Sequence, residues 1–163
     1  MPPKIDSQTL DSITDAISAE FRAATPLSRA MALTLERLIP ADPDAWFVQG
    51  EGDEVAAYVL VGAFIHELRG KRPTAASAEA LPPSTARSAC SYRVLRVTPD
   101  ATFSCNVVQT ERPETSEVTE IDEAWQFNLG SGRVIKIAGK PALPAGHLPF
   151  AVALVAAIHA NPA

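Results

Sequence analysis

The spacing of apolar side chains near the N-terminus is that of amphipathic helices. In the first such stretch they recur every three or four positions, at Leu10, Ile13, Ile17 and Phe21. This period predicts a helix over 7–23. Thr25 and Pro26 then supply a capping residue and a proline suited to a first helical turn, which predicts a second helix over 26–39.

A long apolar run follows, from Val55 to Ile65. Acidic residues precede the run and Gly70 follows it, an arrangement typical of the two ends of a helix. Because the run is apolar on nearly every side, we expect a helix over 53–69 in the middle of the core. The same run could form a buried strand, but its length and its ends favour a helix.

The segments on either side of this run have weaker patterns. Asp42 and Pro43 repeat the cap-then-proline signature, which predicts a short helical turn ahead of Phe47. Residues 71–88 are rich in Ala, Pro, Ser and Thr and show no periodicity. We therefore expect a flexible connection at 71–88.

The period of apolar positions changes from 3.6 to two at residue 89, which is typical of strands. The sequence from Thr98 to Ala101 predicts a type I turn that closes a hairpin. With two later turns, the pattern predicts an antiparallel meander over 89–138. Its four strands are 89–98, 101–110, 117–128 and 133–138. An apolar tail at 148–160 predicts a short C-terminal helix, because alanine is frequent in it.

These elements predict one α+β domain of 163 residues, in which N-terminal helices pack on a C-terminal four-stranded antiparallel sheet. The net charge of −5 and the absence of a run of Lys and Arg argue against nucleic acid as a partner. The longest apolar run is shorter than the roughly 20 residues needed to span a bilayer. We expect no membrane association and a cytoplasmic location.

The two cysteines, Cys90 and Cys105, lie in strand-like sequence. In the predicted hairpin Cys90 lies opposite Gln109 and Cys105 opposite Val94, which leaves the two sulfur atoms too far apart for a disulfide. Free thiols are typical of a reducing compartment.

The end of the predicted sheet resembles a known fold. Trp125 and Phe127 precede a turn that continues as Gly132, Arg133 and Val134. This pattern, after a run of helices, resembles the nuclear transport factor two-like cone fold, which includes polyketide-cyclase-like and ketosteroid-isomerase-like members. The resemblance implies a curved sheet wrapped on helices with an apolar pocket between them. It does not settle function, because the fold hosts enzymes, binding proteins and assembly factors.

Two residues are candidates for catalysis. Glu123 shares a strand face with Trp125 and Phe127, where apolar surroundings would raise the pKa of its carboxyl toward acid or base work. It could instead lie near a strand edge or pair with a neighbouring arginine or lysine. His66 could face the same pocket as a proton shuttle or ligand, or could be a partly exposed histidine without a catalytic role.

The remaining candidates would line a pocket. Tyr58, Tyr92, Trp125 and Phe127 are predicted to contact a ligand, although aromatic residues at such spacings also form ordinary cores. The three histidines and two cysteines show no metal-ligand spacing, so we predict no metal and no cofactor.

Three functions fit these observations. The first is a pocket-bearing protein that binds a small apolar ligand and is noncatalytic or weakly catalytic. The second is a cofactor-free isomerase, cyclase or dehydratase that uses Glu123. The third is an accessory or immunity-like protein-binding subunit. The sheet or the apolar residues 148–158 would form a homodimer or hold a protein partner.

Overall fold

The computed structural model describes residues 5–21, 26–71, 90–115, 118–129, 133–139 and 147–160. This part of the chain contains three helices and seven strands. In chain order they are α1 (Ser7–Phe21), α2 (Pro26–Leu38), β1 (Ala45–Glu51), β2 (Glu54–Val61), β3 (Phe64–Lys71), β4 (Ser91–Arg96), β5 (Thr102–Glu111), β6 (Val118–Asn128), β7 (Val134–Gly139) and α3 (His147–Ala160). The predicted α+β class is confirmed.

The strands form two antiparallel sheets rather than one. Sheet A has the order β1-β2-β3-β4, and sheet B has the order β5-β6-β7. The predicted positions of the last four strands agree with β4 to β7, but the predicted single meander is wrong. β4 pairs with β3, with Leu95 opposite Ile65, and the turn after it leads the chain into sheet B. Cys90 is therefore not in a hairpin with Gln109.

The predicted helix over 53–69 is wrong. This segment is the hairpin of β2 and β3, which turns at Gly62 with a φ of 60°. β2 is buried on both of its faces, from Val55 to Leu60. A strand covered on both faces is apolar at every position, so it has the continuous pattern of a buried helix. Gly62 was the available signal in the sequence, because a glycine can adopt the positive φ of a tight turn between two strands.

The short helical turn predicted ahead of Phe47 is also wrong, since Ala45 to Glu51 form strand β1. The helices predicted over 26–39 and 148–160 are confirmed as α2 and α3. The helix predicted over 7–23 is confirmed as far as Phe21, and residues 22–25 lie outside the described part. The connection predicted at 71–88 lies outside the described residues beyond Lys71.

Helices α1 and α2 cover one face of sheet A. Their buried residues and those of the sheet form one apolar cluster, which includes Ile13, Ile17, Met31, Leu35, Val48, Val55, Ala57, Val59 and Leu68. A Cβ atom added at Gly70 would lie 2.9 Å from Leu27 Cδ2. Glycine at this position therefore lets α2 lie close to β3.

The other face of sheet A meets sheet B and α3. The second apolar cluster there includes Phe47, Tyr58, Ile65, Leu95, Phe127, Leu129, Ile135, Ile137, Phe150 and Leu154. The ring of Phe150 on α3 lies 4.6 Å from that of Phe47 on β1. The apolar tail thus packs on its own sheet.

None of the described helices is long and apolar enough to cross a membrane.

Candidate functional site

The structure separates the residues that the sequence predicted to share a pocket. Side chains alternate between the faces of a strand, so His66 lies on the helix-covered face of sheet A with Leu68. Tyr92 shares that face. Tyr58 and Phe127 belong to the cluster between the sheets, and Trp125 packs against it. The predicted set is therefore divided between two sides of sheet A.

His66 and Tyr92 form a pair beneath α2. The Nδ1 atom of His66 lies 2.5 Å from the hydroxyl of Tyr92. Burial lowers the pKa of His66 and raises the pKa of Tyr92. At neutral pH both groups are uncharged, and they share one hydrogen bond whose donor is set by the tautomer of the imidazole. The structure thus gives His66 a hydrogen-bond partner, and its role as a proton shuttle or ligand stays a prediction.

Glu67 is the centre of a charged network between the two sheets, although its side chain is only 1% exposed. Arg133 donates to its two carboxylate oxygens at 2.7 and 2.6 Å. Arg69 Nε and Arg93 Nη2 each lie 3.3 Å from its Oε1 atom. Because Arg133 lies just before β7, this contact links sheet A to sheet B.

The network continues from Arg69 toward the hairpin of β1 and β2. Arg69 donates to the hydroxyl of Tyr58 at 2.8 Å and to Glu54 at 3.1 Å. The Tyr58 hydroxyl in turn donates to Glu51 at 2.8 Å. Three arginines therefore face three glutamates, and the network carries no excess charge that would attract an ion.

The protonation states of this network are fixed at neutral pH. Burial alone would raise the pKa of Glu67, but its contacts with Arg133 and Arg69 outweigh burial and lower it. Burial and the neighbouring Glu51 raise the pKa of Tyr58 far above its ordinary value. A general acid or base works best with a pKa near the working pH. These groups instead bind the sheets together as fixed charges and dipoles.

The face of sheet B that is turned toward sheet A, its inner face, is only partly buried in the core. Phe127, Ile135 and Ile137 on this face are buried, but Phe103 is 39% exposed and Val107 is 58% exposed. Trp125 is half-buried beside them. We call Phe103, Val107 and Trp125 the aromatic face, and it is the candidate functional site.

The rings of the aromatic face are held by contacts with one another. The Trp125 ring stacks on Phe127 with centroids 5.9 Å apart and planes 5° apart. Phe103 lies 6.4 Å from Trp125 and 5.9 Å from Phe127. The ring of His159 in the last turn of α3 meets Phe103 edge-on at 6.2 Å. The exposed rings therefore rest on a buried ring and have a polar group at their border.

The sequence of β5 explains why this face is apolar. Phe103, Cys105 and Val107 alternate with the exposed polar residues Ser104 and Asn106. Strand pairing sets Phe103 opposite Phe127 and Cys105 opposite Trp125. Helix α3 packs mainly over β1, so it leaves part of the β5 face uncovered. Sequence reasoning identified Trp125 and Phe127 but missed Phe103 and Val107, whose alternation in β5 was the available signal.

The structure leaves the role of Glu123 as a prediction. Its backbone lies opposite Val107 of β5 and Gly139 of β7, two residues before Trp125. Its side chain lies outside the part that the structure describes. Among the described residues, no group of three or more His, Cys, Asp or Glu side chains could hold a metal ion.

Sequence reasoning also missed the network around Glu67 and Arg69. In a strand over 64–71, Leu68 points toward the helices, and Glu67 and Arg69 point to the opposite face, toward sheet B. Both faces are covered, so these two charged residues lie inside the protein, which is unusual. The predicted helix hid this signal.

Comparison with known proteins adds no further guide to the site: no protein-family model, curated protein or solved structure matches this chain.

Proposed function

We propose that this protein is a noncatalytic binding protein that holds a small apolar ligand on the aromatic face of sheet B. The observation that carries the proposal is the exposure of Phe103 and Val107 beside Trp125 on a sheet face that is elsewhere core. Exposed apolar patches on folded proteins commonly mark binding sites. Aromatic rings supply a large apolar area and a defined stacking geometry.

The dimensions of the face favour a small ligand. Phe103 and Val107 are four residues apart on one strand, which corresponds to about 13 Å. A standard protein interface uses about 20–30 residues on each side, whereas the aromatic face has three side chains and His159 at its border. A ligand with one or two rings would cover it.

The chemistry elsewhere favours binding over catalysis. His66 and Tyr92 are neutral partners, and Glu67 and Arg69 are held as an ion pair. The space between the sheets near Tyr58 is filled by packed rings, with Phe47 4.9 Å from Tyr58. We propose a cytoplasmic location for the protein, which is supported by two cysteines, Cys90 and Cys105, that are not joined in a disulfide.

Fluorescence tests the proposal directly. In a Trp46→Phe variant, Trp125 is the remaining tryptophan, and anilinonaphthalene sulfonate, an aromatic anion with apolar rings, serves as the probe. We expect saturable binding with energy transfer from Trp125. Val107→Asp should weaken binding by about tenfold or more, because the probe would have to desolvate a carboxylate.

Val134→Asp is the matched control. Val134 is 38% exposed and lies on β7 opposite Asn128, on the outer face of sheet B. It adds the same charge to the same sheet but should leave probe binding unchanged. Equal loss of binding in the two variants, or no saturable binding in the parent protein, would rule the aromatic face out. Glu123→Gln should leave a binding protein nearly intact, whereas it would abolish the activity of an enzyme that uses Glu123.

A further inference from the structure

His159 gives the aromatic face a polar border. It lies in the last turn of α3 and is exposed, and its ring meets that of Phe103 edge-on at 6.2 Å. Within the described part of the chain, its two ring nitrogens have no hydrogen-bond partner. In small-molecule sites, a few polar groups placed beside an apolar surface fix the orientation of the ligand and provide its specificity.

The position of His159 places it within reach of a ligand on the aromatic face. The ring of Phe103 contacts both that of Trp125, at 6.4 Å, and that of His159. Phe103, Trp125 and Val107 offer no hydrogen-bonding group except the indole N–H. A ligand that rests on Phe103 therefore has the imidazole of His159 at its edge.

The end of α3 restricts the charge of a group that binds there. The last carbonyl groups of a helix have no partner within the helix, and they give this end a partial negative charge. An anionic substituent beside His159 would meet this charge. A neutral hydroxyl group both donates and accepts a hydrogen bond, so it fits whichever nitrogen of the imidazole carries the proton.

We propose that the ligand of the aromatic face is a neutral hydroxyarene, a compound of one or two aromatic rings with a hydroxyl group, and that His159 selects it. This inference rests on the proposed function, because it assigns the chemistry of the ligand at the same site. The rings lie on Phe103 and Trp125, and the hydroxyl group forms a hydrogen bond with the imidazole. An aromatic hydrocarbon lacks this bond, and an aromatic acid brings an anion to the negative end of α3.

Isothermal titration of the full chain with three naphthalene derivatives tests this proposal. The compound 2-naphthol carries the hydroxyl group, 2-methylnaphthalene has an apolar group of similar size, and 2-naphthoate carries an anion. His159→Phe keeps a ring against Phe103 but removes the ring nitrogens. It should weaken binding of 2-naphthol by about two- to tenfold, the effect of one hydrogen bond, and leave binding of 2-methylnaphthalene unchanged. In the parent protein, 2-naphthoate should bind more weakly than 2-naphthol.

Gln126→Phe is the matched control, because Gln126 is exposed on the outer face of sheet B, opposite Lys136. It also replaces a hydrogen-bonding side chain with a phenyl ring, and it should leave binding of all three compounds unchanged. Equal effects of His159→Phe on 2-naphthol and 2-methylnaphthalene, or tighter binding of 2-naphthoate than of 2-naphthol, would overturn the hydroxyarene assignment but leave an apolar site on the aromatic face. If none of the three compounds binds saturably, the proposed function fails as well.

Discussion

Replacing Glu67 with Gln tests whether the buried network holds the two sheets together. The substitution keeps the size of the side chain and removes its charge. It leaves Arg133 and Arg69, whose side chains are only 26% and 19% exposed, without their carboxylate partner. Breaking a buried ion pair by removing one partner costs about 3–5 kcal/mol. We expect about 3 kcal/mol, because the arginines keep some contact with water.

The loss is measured as the free energy of unfolding from urea titrations, with calorimetry as a second measurement. For a chain of this size, it corresponds to a fall in Tm of about 6–12 °C. Glu54→Gln is the matched control, because Glu54 is 34% exposed and binds Arg69 at 3.1 Å. An exposed pair of this kind contributes about 0–1 kcal/mol. Equal losses in the two variants would refute the role assigned to Glu67.

The pH dependence of the same variant gives an independent check. The pKa of Glu67 in the folded protein lies below its ordinary value of 4.5. The unfolded chain therefore binds the proton first as the pH falls, so the contribution of Glu67 is complete above about pH 4.5 and is lost through the folded pKa. The difference in stability between the parent protein and Glu67→Gln should shrink over this range. A difference that stays constant would contradict the assignment.

Three further predictions concern the packing of the fold. Phe150→Ala should cost about 3–5 kcal/mol in urea titrations, because Phe150 is fully buried against Phe47; a loss below about 1 kcal/mol would mean that α3 does not dock as described. Gly62→Ala should cost about 1 kcal/mol, since Gly62 has a φ of 60°; an unchanged midpoint would contradict a strained turn. His66 has a lowered pKa, so its contribution to stability is complete above its unfolded pKa of 6.5 and is lost as the pH falls below it. In His66→Gln, the free energy of unfolding should therefore fall less between about pH 7.5 and about pH 5.5 than it does in the parent protein. An equal fall in the two proteins would refute this contribution of His66.

The sequence analysis correctly predicted the elements that have one buried side and one more exposed side. α1 and α2 each have one buried stripe, and β5 to β7 have one apolar face, so their periods are visible. β2 has both faces buried and therefore lacks a period. Because β2 and β3 were read as one helix, β4 had only β5 as a possible partner. One misread segment thus changed the predicted pairing of the following strand.

The candidate site was predictable only in part. Trp125 and Phe127 follow from the alternation in β6. The exposure of Phe103 and Val107 depends on where α3 packs, and a contact between distant segments leaves no local pattern. The same holds for Glu67, whose partner Arg133 is 66 residues away. Charged residues in a buried strand are recognisable only once the strand itself has been identified.

Backbone amide chemical shifts in the presence of anilinonaphthalene sulfonate test the central claim most directly, because they locate the ligand on the fold. The account predicts that the shifted signals cluster at residues 103–107 and 125–127 and near His159, with saturation at one ligand per chain. Shifts that cluster instead on helix α2, at Leu33 to Leu38, or that spread evenly over the protein would contradict a ligand site on the aromatic face.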